Sequence, residues 1–164
     1  MKTLVVYYSK SGNTRRVAEE IAKALGGETE EIIETGAKRS GILGFLLAGR
    51  GAIMREKSAI EAPKKRPADY DLIFVGSPVW GWNLVPAVRS YLGAVDLREK
   101  PVAFFCTMGS NGEKKTFESM RELVPNSGAL GELAILQAEL KSPDALAKRV
   151  AAWAQEMAAK AGAK

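Results

Sequence analysis

Apolar residues in this chain fall into short continuous runs, and between the runs they recur at helical spacing. Five runs read as strands: Thr3–Tyr8, Thr29–Ile33, Leu72–Gly76, Val102–Thr107 and Leu133–Ala138. Continuous rather than alternating runs suit a parallel sheet covered on both faces. Val17, Ile21, Ala24 and Leu25 share one face of the helix predicted after the first run. Leu84, Val88, Tyr91 and Leu92 do so after the third, with Pro86 near a helix start. Phe117, Met120 and Leu123 follow the fourth run, and Pro125 stops that helix. The last helix opens on Ser142-Pro143-Asp144, a cap residue, a first-position proline and an acid in the first turn. Leu146, Val150, Trp153 and Met157 form its apolar stripe.

Strand and helix alternate, so the expectation is an α/β doubly wound, five-stranded parallel sheet with helices on both faces, in a single domain spanning residues 1–164. The link from Glu34 to Tyr70 breaks the rhythm; a helix is predicted around Gly41–Lys57 and an extended stretch after it. Eight basic residues between Lys38 and Arg66 stand against Glu56 and Glu61, a net +6 in a chain whose total is +5, so the rest carries −1. Such a cluster fits a solvated face, or a surface that meets an acidic partner, an anionic membrane or nucleic acid. It lacks interleaved aromatics, which speaks against a nucleic-acid platform.

Composition narrows the chemistry. There is no histidine, which removes Ser-His and Cys-His catalysis and most zinc and haem sites. The single cysteine, Cys106, cannot form an internal disulfide and fits a reducing compartment. No signal-peptide pattern or membrane-length apolar run is present, and a cytoplasmic protein without a transmembrane segment is expected. Cys106 reads as a buried structural thiol, because the residues after it supply no arginine for a phosphatase-type loop. The strand ends Tyr8-Ser9 and Gly76-Ser77 lack the acids of a phospho-receiver.

Ligands of an open parallel sheet bind at the carboxyl ends of its strands. Three ends are distinctive. The first is Ser9, Lys10, Ser11, Gly12, Asn13 and Thr14, small hydroxyl and amide side chains at a helix start. That pattern fits a hydroxyl-rich cap, and equally an anion site built from free N–H groups and the helix dipole. The second is Ser77, Pro78, Val79, Trp80, Gly81, Trp82 and Asn83. Its two tryptophans either pack on the core or cover a flat aromatic ligand. The third is Thr107, Met108, Gly109, Ser110, Asn111 and Gly112, whose backbone can approach ring heteroatoms. A phosphate at one loop and a planar ring between the other two describe a mononucleotide.

On these residues the sequence resembles the flavodoxin family, short-chain type, over nearly its whole length. Ser9 to Thr14 is similar to the family's Thr/Ser-x-Thr/Ser-Gly-Asn-Thr phosphate loop; Trp80-Gly81-Trp82 and Thr107 to Gly112 stand where the family places its two flavin loops. The resemblance implies FMN as cofactor and electron transfer through it, either to a redox partner protein or, in an NAD(P)H oxidoreductase, to a small oxidant such as a quinone. It also implies a Gly81 peptide whose carbonyl can turn toward the flavin. Three features depart from the family pattern: a basic rather than acidic chain, Met108 where a stacking Tyr is often found, and the long basic link. The apolar run Ile42–Ala48 could wall a substrate pocket, while the chain has no evident nicotinamide-nucleotide motif. Neither the partner nor the oligomeric state is legible.

Overall fold

A computed structural model describes residues 1–35 and 57–163. Its strands are β1 (Thr3–Tyr7), β2 (Glu28–Glu31), β3 (Leu72–Trp80), β4 (Asn83–Leu84), β5 (Pro101–Met108) and β6 (Gly128–Leu136). Its helices are α1 (Asn13–Leu25), α2 (Pro86–Ala94), α3 (Glu113–Leu123) and α4 (Pro143–Gly162). Five strands pair in parallel in the order β2-β1-β3-β5-β6, and β4 folds back antiparallel on the end of β3. This is the expected doubly wound α/β sheet, with the two-residue β4 added.

Alternation along each strand divides the core in two. Leu4, Val6, Ile73, Val75, Phe104 and Cys106 face one side, where they meet Val88, Tyr91 and Leu92 of α2 and Phe117 and Met120 of α3. Val5, Tyr7, Leu72, Phe74, Ala103 and Phe105 face the other, under Val17 and Ile21 of α1 and Leu146, Val150 and Met157 of α4. Trp153 lies edge-on to Phe74, with centroids 5.4 Å apart.

Several element boundaries differ from the sequence expectation, each for a local reason. β2 is Glu28–Glu31 rather than Thr29–Ile33, because among the described residues this outer strand pairs with β1 alone and tolerates charged side chains. Leu84 belongs to β4, not to the helix; α2 starts at Pro86, whose fixed φ and missing N–H suit a first helical position. Ser142 precedes α4 but makes no side-chain cap bond. The helix expected around 41–57 and the run 42–48 lie outside the described residues, apart from Lys57.

The two ends of that link are fastened together. Glu34 and Ile60 form an antiparallel bridge, supported by Thr35 N–H to Ala59 O at 2.9 Å and Glu61 N–H to Ile33 O at 2.9 Å. The Glu30 carboxylate then accepts the N–H groups of Lys64 and Lys65 at 2.6 and 3.1 Å. The basic residues that follow carry counterions: Lys64 pairs with Glu61, Lys65 with Glu28 and Arg66 with Asp69. Exposed pairs of this kind contribute about 0–1 kcal/mol each, but they cancel local charge.

One glycine in the sheet is fixed by crowding. A Cβ on Gly76 would lie 2.1 Å from the Phe105 ring, which covers the gap beside β3 on the facing strand. Gly76→Ala must displace that buried ring and is expected to cost about 1–3 kcal/mol by overpacking. Urea titration followed by circular dichroism measures the loss; an unchanged midpoint would show that the ring moves freely.

Candidate functional site

The carboxyl ends of β1, β3 and β5 meet where the strand order reverses, the position at which doubly wound sheets bind ligands. Each predicted stretch lies at one of these ends.

The first joins β1 to α1. Gly12 occupies the N-cap position at φ +88°, a conformation that favours glycine, and a Cβ there would find nothing within 4 Å. A helix leaves its first N–H groups without intrahelical partners. In α1 no side chain caps them and no acidic residue stands in the first turn; α2 starts the same way, but on Pro86, which has no N–H to satisfy, whereas α3 has Glu113 and α4 Asp144 in theirs. The serines therefore do not form a hydroxyl-rich cap. Ser9 Oγ is buried and has no hydrogen-bond partner. Leaving a hydroxyl so costs about 1–3 kcal/mol. Thr14 is buried, and its Oγ1 lies 2.8 Å from Thr107 Oγ1, a bond between the first and third stretches. Ser11 and Lys10 are exposed and Asn13 is half-buried.

The second stretch is not a plain loop. Pro78, Val79 and Trp80 extend β3, and Val79 and Trp80 pair with Leu84 and Asn83 across a two-residue turn. Gly81 and Trp82 have φ of +53° and +58°, the two positive values of a type I′ hairpin turn. Positive φ is ordinary for Gly81 but strained for a bulky residue, by about 1–3 kcal/mol. Trp82 nonetheless adopts it, and its side chain is exposed, the residue being 60% accessible. Trp80 is half-buried against the core, edge-on to Tyr8 with centroids 5.7 Å apart, and the Lys10 ammonium stands 5.5 Å from its ring centroid. The Tyr8 hydroxyl donates to Glu34 Oε2 at 2.9 Å. Ser77 is buried; its Oγ donates to Pro78 O at 2.8 Å and accepts the Val85 N–H at 3.2 Å, so it braces the hairpin from below. Asn83 is buried too; its Oδ1 accepts the Leu84 N–H at 2.8 Å while its Nδ2 has no partner.

The third stretch leaves β5 at Met108, whose carbonyl accepts the Gln137 N–H at 2.8 Å. Gly109, Ser110 and Asn111 are exposed. Gly112 is the N-cap of α3 at φ +107°, and a Cβ on it would lie 2.7 Å from Val79 Cγ1 and 2.9 Å from Trp82 Cα. That contact presses the third stretch against the hairpin. The sequence motifs do not include Tyr8 and Glu34, which the structure places behind Trp80. The aromatic Tyr8 directly before the serine was the available signal.

Cys106 is fully buried in β5, and burial, followed by the charge of Glu113, pushes its thiol up to about 12. Among the described residues no group of His, Cys, Asp or Glu could hold a metal ion, and no helix is long and apolar enough to cross a membrane.

Fold and strand ends together define a doubly wound α/β protein with an acid-free, uncapped helix start at its switch point. The chain belongs to the flavodoxin family, whose model, described as Flavodoxin, matches residues 2–155. That family binds FMN. Similar solved structures include a Lactobacillus acidophilus flavoprotein in complex with FMN, 24% identical over 87% of this chain and 98% of that one, with a TM-score of 0.71. A candidate flavoprotein from Bacteroides uniformis is 24% identical over 91% and 97% of the two chains, with a TM-score of 0.75. The Megasphaera elsdenii flavodoxin is 17% identical over 91% and 98%, with a TM-score of 0.54.

The Cys106 setting yields a direct expectation. A thiol displaced to about 12 stays protonated at pH 8, and the protonated form is a poor nucleophile. Ellman's reagent should leave the native protein unmodified at pH 8 and titrate one thiol after unfolding in guanidinium. Rapid labelling of the native state would contradict this. The raised value also means that burying the thiol favours folding below its ordinary pKa, and that this contribution is lost as pH rises from there to about 12.

Proposed function

We propose that this chain binds FMN across its three strand ends and serves as an electron carrier between redox partner proteins. The observation that carries the reading is the start of α1: uncapped, acid-free, and beside a buried Ser9 hydroxyl that no protein group satisfies. An anion with several acceptor oxygens answers all three features. Ser9, Ser11, Asn13 and Thr14 would hold the phosphate by side chain, with Gly12 giving the backbone its approach and Lys10 its only charge in the loop. Open space around Gly12 and Gly109 admits a ligand at both. Trp80, Gly81 and Trp82, backed by Pro78 and Val79, would flank the planar ring on one side, and Thr107 to Gly112 on the other. The orphan Asn83 Nδ2 is a donor suited to a ring heteroatom, and Ser77 acts through the hairpin it braces. The bound flavin would supply the electron chemistry, and the protein binding, orientation and electrostatics.

Trp82 supports a second reading. A strained, exposed tryptophan at the mouth of the site offers a flat surface to a planar oxidant, as an FMN-dependent NAD(P)H oxidoreductase reducing a quinone requires. Visible spectra of the purified protein, then NADPH consumption with and without a quinone, separate the two. Yellow protein that leaves NADPH untouched is a carrier; quinone-dependent consumption is the oxidoreductase. Protein that stays colourless after FMN is added ends both readings.

The phosphate assignment has its own test. Ser9 Oγ has no partner within the protein, so Ser9→Ala leaves the apoprotein's stability unchanged or slightly higher. The variant should lose FMN affinity about tenfold, as expected for one hydrogen bond to a charged group, and little affinity for riboflavin. Flavin fluorescence quenching gives both constants, and equal losses would remove the phosphate from this loop.

A further inference from the structure

The Thr14 and Thr107 hydroxyls lie 2.8 Å apart, and either oxygen can be the donor. Both residues are buried, at 1% and 5% exposure. Thr14 stands in the first turn of α1. Thr107 lies near the end of β5, on the side of that strand from which Ala103 and Phe105 face α1. Among the described residues neither hydroxyl has a second hydrogen-bond partner. Two hydroxyls carry two protons, and the bond between them uses one. The remaining proton belongs to whichever oxygen accepts, so the direction of this one bond decides whether the helix start gains a donor.

We propose that Thr107 is a positioning residue for the phosphate: its hydroxyl donates to Thr14 Oγ1 and so commits the Thr14 proton to the ligand. This inference rests on the FMN reading above. With the site empty, the bond can run in either direction. A phosphate oxygen is a better acceptor than a hydroxyl, because a charge-assisted bond is roughly twice as strong as a neutral one. The Thr14 proton turns to the phosphate, and the Thr107 hydroxyl rotates to supply the donor that Thr14 Oγ1 then lacks. One bond becomes two, and each polarises the other. In the opposite order, with Thr14 donating to Thr107, Thr14 would present only oxygen lone pairs to an anion. The Thr107 hydroxyl thus acts on the phosphate through Thr14 alone.

A double-mutant cycle separates this role from a structural one. Dissociation constants for FMN and riboflavin would be measured by flavin fluorescence quenching for the wild type, Thr107→Val, Thr107→Ser, Thr14→Val and the double variant carrying Thr14→Val and Thr107→Val. Circular dichroism establishes that each is folded, and Thr107→Ala takes the place of Thr107→Val where the valine variant is not. Thr14→Val should bind FMN about tenfold more weakly. Thr107→Val should bind FMN about three- to fivefold more weakly and riboflavin within about twofold of the wild type. Thr107→Ser keeps the hydroxyl and should stay within about twofold of the wild type for both flavins. The double variant should bind FMN no more weakly than Thr14→Val alone, because Thr107 has nothing left to act through. A Thr107→Val variant that binds FMN as well as the wild type, equal losses for both flavins, a Ser variant as weak as the Val variant, or losses that add in the double variant would overturn the role. In each of those cases a wild type that prefers FMN to riboflavin keeps the site reading intact. A wild type with no such preference overturns both.

Discussion

Parallel strands can be joined only by crossovers that carry the chain back to the opposite end of the sheet, so β1, β3 and β5 all deliver their loops to the same side. Where neighbouring crossovers go to opposite faces, a crevice opens between the loops. Here α1 lies on one face, and α2 and α3 on the other. The reversal falls between β1 and β3, at Ser9 and Ser77. Everything the site contains follows from that divergence, which is itself enforced by two apolar layers buried on the two faces of one sheet.

The crevice is held open by a few interactions that cost the chain something. The Thr14–Thr107 bond spans 93 positions in sequence and gives two buried hydroxyls a partner at the sheet end. Gly112 lets the third loop touch the hairpin backbone where any side chain would collide with Trp82 Cα. The hairpin in turn holds Trp82 at positive φ, a strain that persists because the β3–β4 pairing, the Ser77 brace and the Gly112 contact together define the turn. Strain and unsatisfied donors (Ser9 Oγ, Asn83 Nδ2) thus gather at one end of the molecule. Other orphans, such as the Tyr91 hydroxyl, are buried elsewhere, so an orphan alone does not mark a site; at Ser9 the orphan coincides with a helix start that has neither a side-chain cap nor an acid in its first turn.

Much of this was legible in the sequence, and the reasons differ by element. Continuous apolar runs revealed the parallel sheet because strands covered on both faces need apolar residues at both parities; β2, which among the described residues pairs with β1 alone, carried the weakest run and was misplaced. The first loop was legible because its chemistry is local: glycine, hydroxyls and amide in consecutive positions before an amphipathic helix. The hairpin was not, because a turn at Gly81-Trp82 lacks the Asn-Gly or Asp-Gly signal usual for its type, and Pro78 argued against continuing the strand. Nor was the requirement for Gly76, which depends on a phenylalanine from a strand far along the chain. Tertiary contacts of this kind leave no trace at short sequence range.

The charge distribution gains a different meaning in three dimensions. Read along the chain, the segment from Lys38 to Arg66 suggested a basic surface; in the described part, Lys64, Lys65 and Arg66 each face an acid, and Glu30 clamps the backbone between them. Around the first loop the arrangement is the reverse. Arg15 and Arg16 are tied to Glu31 and Leu140, no acid enters the first turn of α1, and the donors that remain are mostly neutral. Neutral donors and a helix dipole hold an anion without first having to release a counterion, and their pull is less sensitive to salt than that of an exposed ion pair.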